Sequence, residues 1–117
     1  MARGLFIAYS SAVPGREAEY EEWYEQVHVP DVRAAVPSVT AVHRYRQVDL
    51  AGGGGAPRFV AVYELGDADV ATAAAQLGAA GAEGRLRMTD SIDMTGNPPD
   101  VQWFVATGDP GDRPARP

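Results

Sequence analysis

The sequence has 117 residues, a formal net charge of −6 with sixteen acidic side chains against ten basic ones, and no cysteine. That length holds one domain with a modest core, and the missing thiol excludes disulfides, thiolate nucleophiles and thiolate metal ligands. Every basic residue is Arg and no basic run occurs, so nucleic acid and anionic membrane surfaces are not expected as partners. With no apolar run of about 18 residues and no signal-like opening, the chain reads as soluble and cytoplasmic.

Gly4–Ser10 is a short, nearly continuous apolar run, the pattern of a buried strand. Leu5, Ile7 and Tyr9 share one of its faces; Phe6 and Ala8 share the other. Pro14 lies in a turn placed to begin a helix. Over 16–29, Tyr20, Trp23, Tyr24 and Val27 recur at the i, i+3, i+4, i+7 spacing of one helix face, with His28 at the stripe's edge. Glu21, Glu22 and Glu25 point elsewhere, toward solvent. Pro30 forbids an ordinary helix interior, so this helix is expected to end or kink near Val29. A short helical turn follows over 31–35, before Pro37.

A second strand is expected over 39–48. Val39, Ala41, His43 and Tyr45 lie on one face; Thr40, Val42, Arg44 and Arg46 lie on the other. The four consecutive glycines within 49–57 make a flexible hairpin connection. The third strand, 58–65, alternates Phe59, Ala61 and Tyr63 against Val60 and Val62, and pairs antiparallel with the second. Asp67 or Asp69 can cap an alanine-rich helix over 68–77, which Gly78, Gly81 and Gly84 weaken. Residues 85–100 form a polar excursion over the surface or over a pocket mouth. The fourth strand is 101–107, and 108–117 is a polar tail expected to be disordered.

Strand, helix, strand, strand, helix, strand is an α+β order. It gives one domain over 1–107 with the ferredoxin-like βαββαβ layout: a four-stranded antiparallel sheet with both helices on one face. The other face is apolar too, and a second copy of the sheet is its simplest cover, so a homodimer with face-to-face sheets is expected.

Trp23-Tyr24-x-x-x-His28-Val29-Pro30-Asp31, then Val36-Pro37-Ser38-Val39, then Arg44-Tyr45-Arg46, resembles the dimeric α/β-barrel superfamily. The branch is the EthD-like proteins with their helix-borne His-x-Pro motif. The likeness spans about 4–107 and departs at Pro37-Ser38, where a glycine often follows the proline, and in the tetraglycine connection and glycine-rich second helix. The superfamily includes cofactor-free polyketide cyclases, lactone isomerases, quinol-type monooxygenases, haem-degrading enzymes and members without known activity. The resemblance implies a pocket between helices and sheet, with Tyr20, Trp23, Tyr24 and His28 on its wall. Haem-degrading relatives carry an iron-binding histidine on the second helix; 67–84 has none here, so haem is not expected.

His28 is the first candidate for chemistry, because imidazole gives or takes a proton near neutral pH. Its alternative roles are to bond the free carbonyls of a helix end or to hold the turn around Pro30. Tyr24 is a hydrogen-bonding helper. His43 is a complementary acid if its strand face meets the helices, and an interface residue if it meets a partner sheet. Arg44 or Arg46 can hold a carboxylate or enolate, or remain ion-paired at the surface. Tyr9, Tyr20, Trp23, Tyr45, Tyr63 and Trp103 build the core or stack against a flat unsaturated ligand. The spacing of the two histidines and the carboxylates makes no metal site, and neither a nucleotide-binding glycine motif nor a nucleophile elbow is present. The expected function is a cofactor-free cyclase or isomerase working by acid/base chemistry on a hydrophobic, polyketide-like or aromatic small molecule. The alternatives are a cofactor-independent quinol-type monooxygenase and a non-catalytic ligand-binding dimer.

Overall fold

Burial along the third strand alternates residue by residue: Phe59, Ala61, Tyr63 and Leu65 are buried, while Val60, Val62 and Glu64 are half-exposed. A strand patterned this way lies in a sheet covered on one side. The computed structural model describes residues 3–53 and 57–107. Its sheet has four antiparallel strands, β1 (Gly4–Ser10), β2 (Ala41–Arg46), β3 (Phe59–Gly66) and β4 (Asp100–Val105), in the order β2-β3-β1-β4. With the helices on the face that carries Phe6 and Tyr63, this is the ferredoxin-like α+β fold. The tail 108–117 and the middle of the glycine connection, 54–56, lie outside the described residues.

Register decides which side chains meet. One row across the helix-covered face runs Trp103, Phe6, Tyr63, Val42. The Phe6 ring stacks on Tyr63 at 4.4 Å and leans on Trp103 at 4.5 Å. The neighbouring row is Val101, Ala8, Ala61, Arg44, so Arg44 points to the helix side. On the opposite face the rows are Gln102, Ile7, Val62, His43 and Asp100, Tyr9, Val60, Tyr45. The single-chain structure leaves that face uncovered: Leu5, Ile7 and Tyr9 are only half-buried and Tyr45 is exposed.

The aromatic stripe forms as its spacing predicts, and of the two outcomes expected near Val29, an end or a kink, the helix does not end but is interrupted just before it. It runs on as α1 (Glu17–Trp23), a π-helical turn (Tyr24–His28) and α2 (Val29–Ala35). Pro30 has no N–H to give, and in an α-helix its ring would strike the carbonyl four residues back, that of Gln26. The chain meets this with one wider turn, in which the Val29 N–H donates to the Tyr24 carbonyl, five residues back. Single π turns are rare and are frequent at functional sites. This one carries Tyr24 and His28.

The second helix, α3 (Val70–Ala82), is longer than its glycines suggest. Asp69 caps it by accepting from the Thr72 N–H at 3.0 Å, and Ala73 and Ala80 are fully buried against the sheet. Tertiary packing of these alanines outweighs the propensity cost of Gly78 and Gly81. The helix comes so close to β1 that a side chain at Gly4 would collide with Val70.

The excursion after α3 is pinned at several points. Its Ser91 is fully buried, Ala12 and Ile92 form an isolated bridge, and Arg58 donates to the carbonyls of Asn97 and Pro98 at 3.0 and 2.8 Å. Arg87 grips Asp31 through two side-chain hydrogen bonds, and the Arg87 carbonyl accepts from Trp23 Nε1 at 3.0 Å. The excursion is therefore a strap across the helix that bears His28.

Candidate functional site

Three helix aromatics form the centre of the site. Tyr20 is fully buried, its ring tilted against Phe59, Tyr24 and Trp23, and its hydroxyl hydrogen-bonds Ser10 Oγ. The Trp23 and Tyr24 rings meet edge to face at 5.4 Å. The π turn brings His28 back over both: it stacks on Trp23 at 4.6 Å and meets Tyr24 edge-on at 4.9 Å. From the sheet, the Arg44 guanidinium lies over the Tyr24 ring at 4.2 Å, a cation–π contact. Tyr63 approaches from β3. Its hydroxyl and that of Tyr24 come near enough for each to shift the other's acidity, yet without the geometry of a hydrogen bond.

Among the described residues, three buried side-chain polar atoms have no hydrogen-bond partner: His28 Nδ1, Tyr63 Oη and Arg44 Nε. All three belong to residues that surround Tyr24. An unpaired buried polar atom costs on the order of 1–3 kcal/mol, and folded proteins keep few of them. All three are thus open to a further hydrogen-bond partner.

Burial sets the protonation states. Loss of solvent pushes His28 down to about 4, with Asp31 pulling it partly back up and Arg44 adding to the fall. The imidazole is therefore neutral at physiological pH and a weaker base than a solvated histidine. Burial pushes the Tyr63 phenol up to about 12 and that of Tyr24 higher still, so both stay protonated as donors. Unfolded, His28 takes up a proton near pH 6.5; folded, it refuses one until about pH 4. The unfolded state gains stability as the pH falls through that window, and the protein loses up to about 3 kcal/mol there on this account alone. Urea midpoints at pH 7 and pH 4.5 check this: His28→Gln is expected to lose clearly less on acidification than the wild type.

Tyr63→Phe separates packing from use. Removing an unpaired buried hydroxyl is expected to leave stability unchanged or raise it by about 1 kcal/mol, read as a urea midpoint at or above that of the wild type.

A groove of about 260 Å³ lies at the outer edge of this cluster, lined by Glu21, Glu25, Arg44, Tyr45, Arg46 and Phe59. Arg44 belongs to both features. Its Nη2 is held by Glu21 at 2.5 Å, with Glu25 at 3.7 Å from Nη1. Glu21 is thus an ion-pair partner of a half-buried arginine, where its helix position had suggested a solvated side chain.

The sequence candidates divide between two faces. Tyr20, Trp23, Tyr24, His28 and Tyr63 come together, and Trp103 joins them only through Phe6. Tyr9, His43 and Tyr45 have their Cα positions on the rows of the opposite face. His43 therefore does not stand opposite His28 as its acid; its Nε2 pairs instead with Glu64 at 2.8 Å. Strand alternation had left that face undecided, and the β2–β3 register decides it. The sequence pattern identifies Tyr63 only as one ring of the aromatic set and does not place Arg44 above Tyr24. The available signal was the alternation itself: if Tyr63 faces the helices, its register partner Val42 does too, and Arg44 two residues on. Among the described residues no group of three or more His, Asp or Glu is placed to hold a metal ion, and no helix is long and apolar enough to cross a membrane.

No protein-family model matches the sequence, and no curated relative does. Solved structures do. A dimeric ferredoxin-like protein from an uncultured marine organism superposes with a TM-score of 0.59 at 12% identity, covering 93% of this chain and 99% of that one. An EthD-like protein from Ralstonia eutropha gives 0.59 at 17% identity, covering 97% and 100%. These neighbours establish the fold, and one of them is itself described as EthD-like.

Proposed function

We propose that this protein is a cofactor-free cyclase or isomerase that moves protons on a hydrophobic, unsaturated small molecule in the cytoplasm. The observation that carries the reading is the set of unpaired buried polar atoms on His28, Tyr63 and Arg44, gathered around the aromatic floor of Tyr24. In this reading the neutral His28 imidazole takes a proton from a carbon next to a carbonyl and returns it elsewhere. The Tyr24 and Tyr63 phenols donate to the oxygen on which charge collects. The steps balance within the substrate: one C–H proton leaves and one proton is returned, so no oxidant is consumed. The test is turnover of polyketide-like β-dicarbonyl and lactone substrates in deuterium oxide. Solvent deuterium appearing at carbon in the wild type, and absent with His28→Gln, supports the reading; oxygen uptake without exchange would point to monooxygenase chemistry.

The assembly belongs to the same proposal. Leu5, Ile7, Val60, Val62 and Phe104 lie on a sheet face that no element among the described residues covers. A second copy, sheet against sheet, would remove it from water, and a stable interface needs roughly 800 Å² per partner. Light scattering at micromolar protein is expected to give twice the chain mass. The monomer mass would contradict the dimer.

A further inference from the structure

We propose that the groove at Arg44 is an anion-anchoring subsite, and that the molecule bound there is a flat one- or two-ring acid, a carboxylate or an acidic enol. The proposal rests on the acid/base reading of the neighbouring cluster and names the substrate class that reading leaves open. Four features of the groove carry it.

The first is that Arg44 is fixed where its neighbours are not. Its side chain is only 15% exposed and lies over Tyr24, whereas the Glu21 and Glu25 side chains that touch it are 46% and 67% exposed. A guanidinium is charged at every physiological pH and offers a planar fork that matches a carboxylate. The carboxylates that now occupy the fork sit on the solvent side of the helix and can swing into water. Glu21 thus holds the place of a ligand acid.

The second is that the fork is incompletely used. Arg44 Nε is buried without a partner, although Glu21 satisfies the far end of the group. A bidentate acid bridging Nε and Nη2 would use both donors, which Glu21 does not.

The third is a second cation. Arg46, two residues along the same strand, also lines the groove and makes no ion pair among the described residues. The fourth is the shape: Tyr45 and Phe59 supply aromatic walls, and about 260 Å³ suits one or two rings rather than a long chain. Arg44 itself spans from this groove to the face of Tyr24.

Calorimetric titration with 2-naphthoate and its neutral counterpart 2-naphthamide tests this. The wild type is expected to bind the acid about tenfold or more tightly than the amide, the difference of one charge-assisted hydrogen-bond pair. Arg44→Met should abolish the preference. Glu21→Gln, which removes the competing carboxylate from an exposed position, should tighten 2-naphthoate. His28→Gln should bind 2-naphthoate as the wild type does, which separates this anchor from the acid/base role: lost turnover with intact binding leaves the anchor standing, and so does retained turnover. Equal binding of acid and amide, no binding of 2-naphthoate at millimolar concentration, or a preference that survives Arg44→Met overturns the proposal. If Arg44→Met does not fold, Glu21→Gln decides: unchanged or weaker binding of the acid is the overturning result.

Discussion

His28→Gln is expected to lower turnover by about 10²–10⁴-fold, the usual contribution of one positioned acid/base group, while the protein folds and assembles as the wild type does. Glutamine keeps a polar group of similar reach and removes only the ability to exchange a proton. The imidazole makes no hydrogen bond through Nδ1, so substitution removes no partner from another residue there. What is lost structurally is the stack on Trp23 and the edge contact with Tyr24. This separates chemistry from architecture. If the histidine merely tied down the helix around Pro30, its loss would appear in the urea midpoint and leave turnover per folded molecule intact. A turnover within twofold of wild type on the true substrate would remove His28 from the mechanism.

The largest stability effect belongs to Tyr20. Its ring is fully buried between Phe59, Trp23 and Tyr24, and its hydroxyl is the partner of buried Ser10. Tyr20→Ala is expected to cost about 3–5 kcal/mol, since truncating a large buried ring leaves a cavity, and more if Ser10 finds no new partner. Stability in small domains is itself only about 5–15 kcal/mol, so the variant should be marginally folded. Tyr20→Phe keeps the ring and should cost about 1 kcal/mol through the unpaired Ser10 hydroxyl. Urea unfolding of both variants checks the ordering. A mild Tyr20→Ala would mean that the helix is not seated on the sheet as described. The pair also sorts the stripe by role: Tyr20 builds, whereas Tyr24 and His28, one and two turns on, belong to the proposed chemistry.

The sheet was legible because its strands are short, apolar and punctuated by Gly and Pro. The βαββαβ order follows from those punctuation marks, and β1 begins and ends where its apolar run does. The Tyr20/Trp23/Tyr24 stripe was legible because four residues at helical spacing admit one geometry. Continuation of the helix past Pro30 was legible only as one of two outcomes, an end or a kink, because a π turn leaves no mark in hydrophobic periodicity. α3 outran its expected end because burial of Ala80 is a tertiary fact, invisible to local propensity.

The site was half legible for a different reason. Period two assigns residues to faces but does not say which face is covered. His43 and Arg44 are adjacent in sequence and fall on opposite sides of the sheet, and everything said of either depends on that choice. The register that pairs Arg44 with Ala61 and His43 with Val62 settles it. The unpaired atoms of Arg44, Tyr63 and His28 come from three separate elements, so no local pattern could announce their meeting.

The proposed chemistry requires a neutral, desolvated imidazole at the π turn. Nitrogen-15 NMR of histidine-labelled protein, with His28→Gln used to assign the signal, measures that state directly. The ring should remain uncharged through pH 5 and take up its proton only near pH 4. A His28 resonance that titrates close to pH 6.5, as a solvated ring does, would contradict the account.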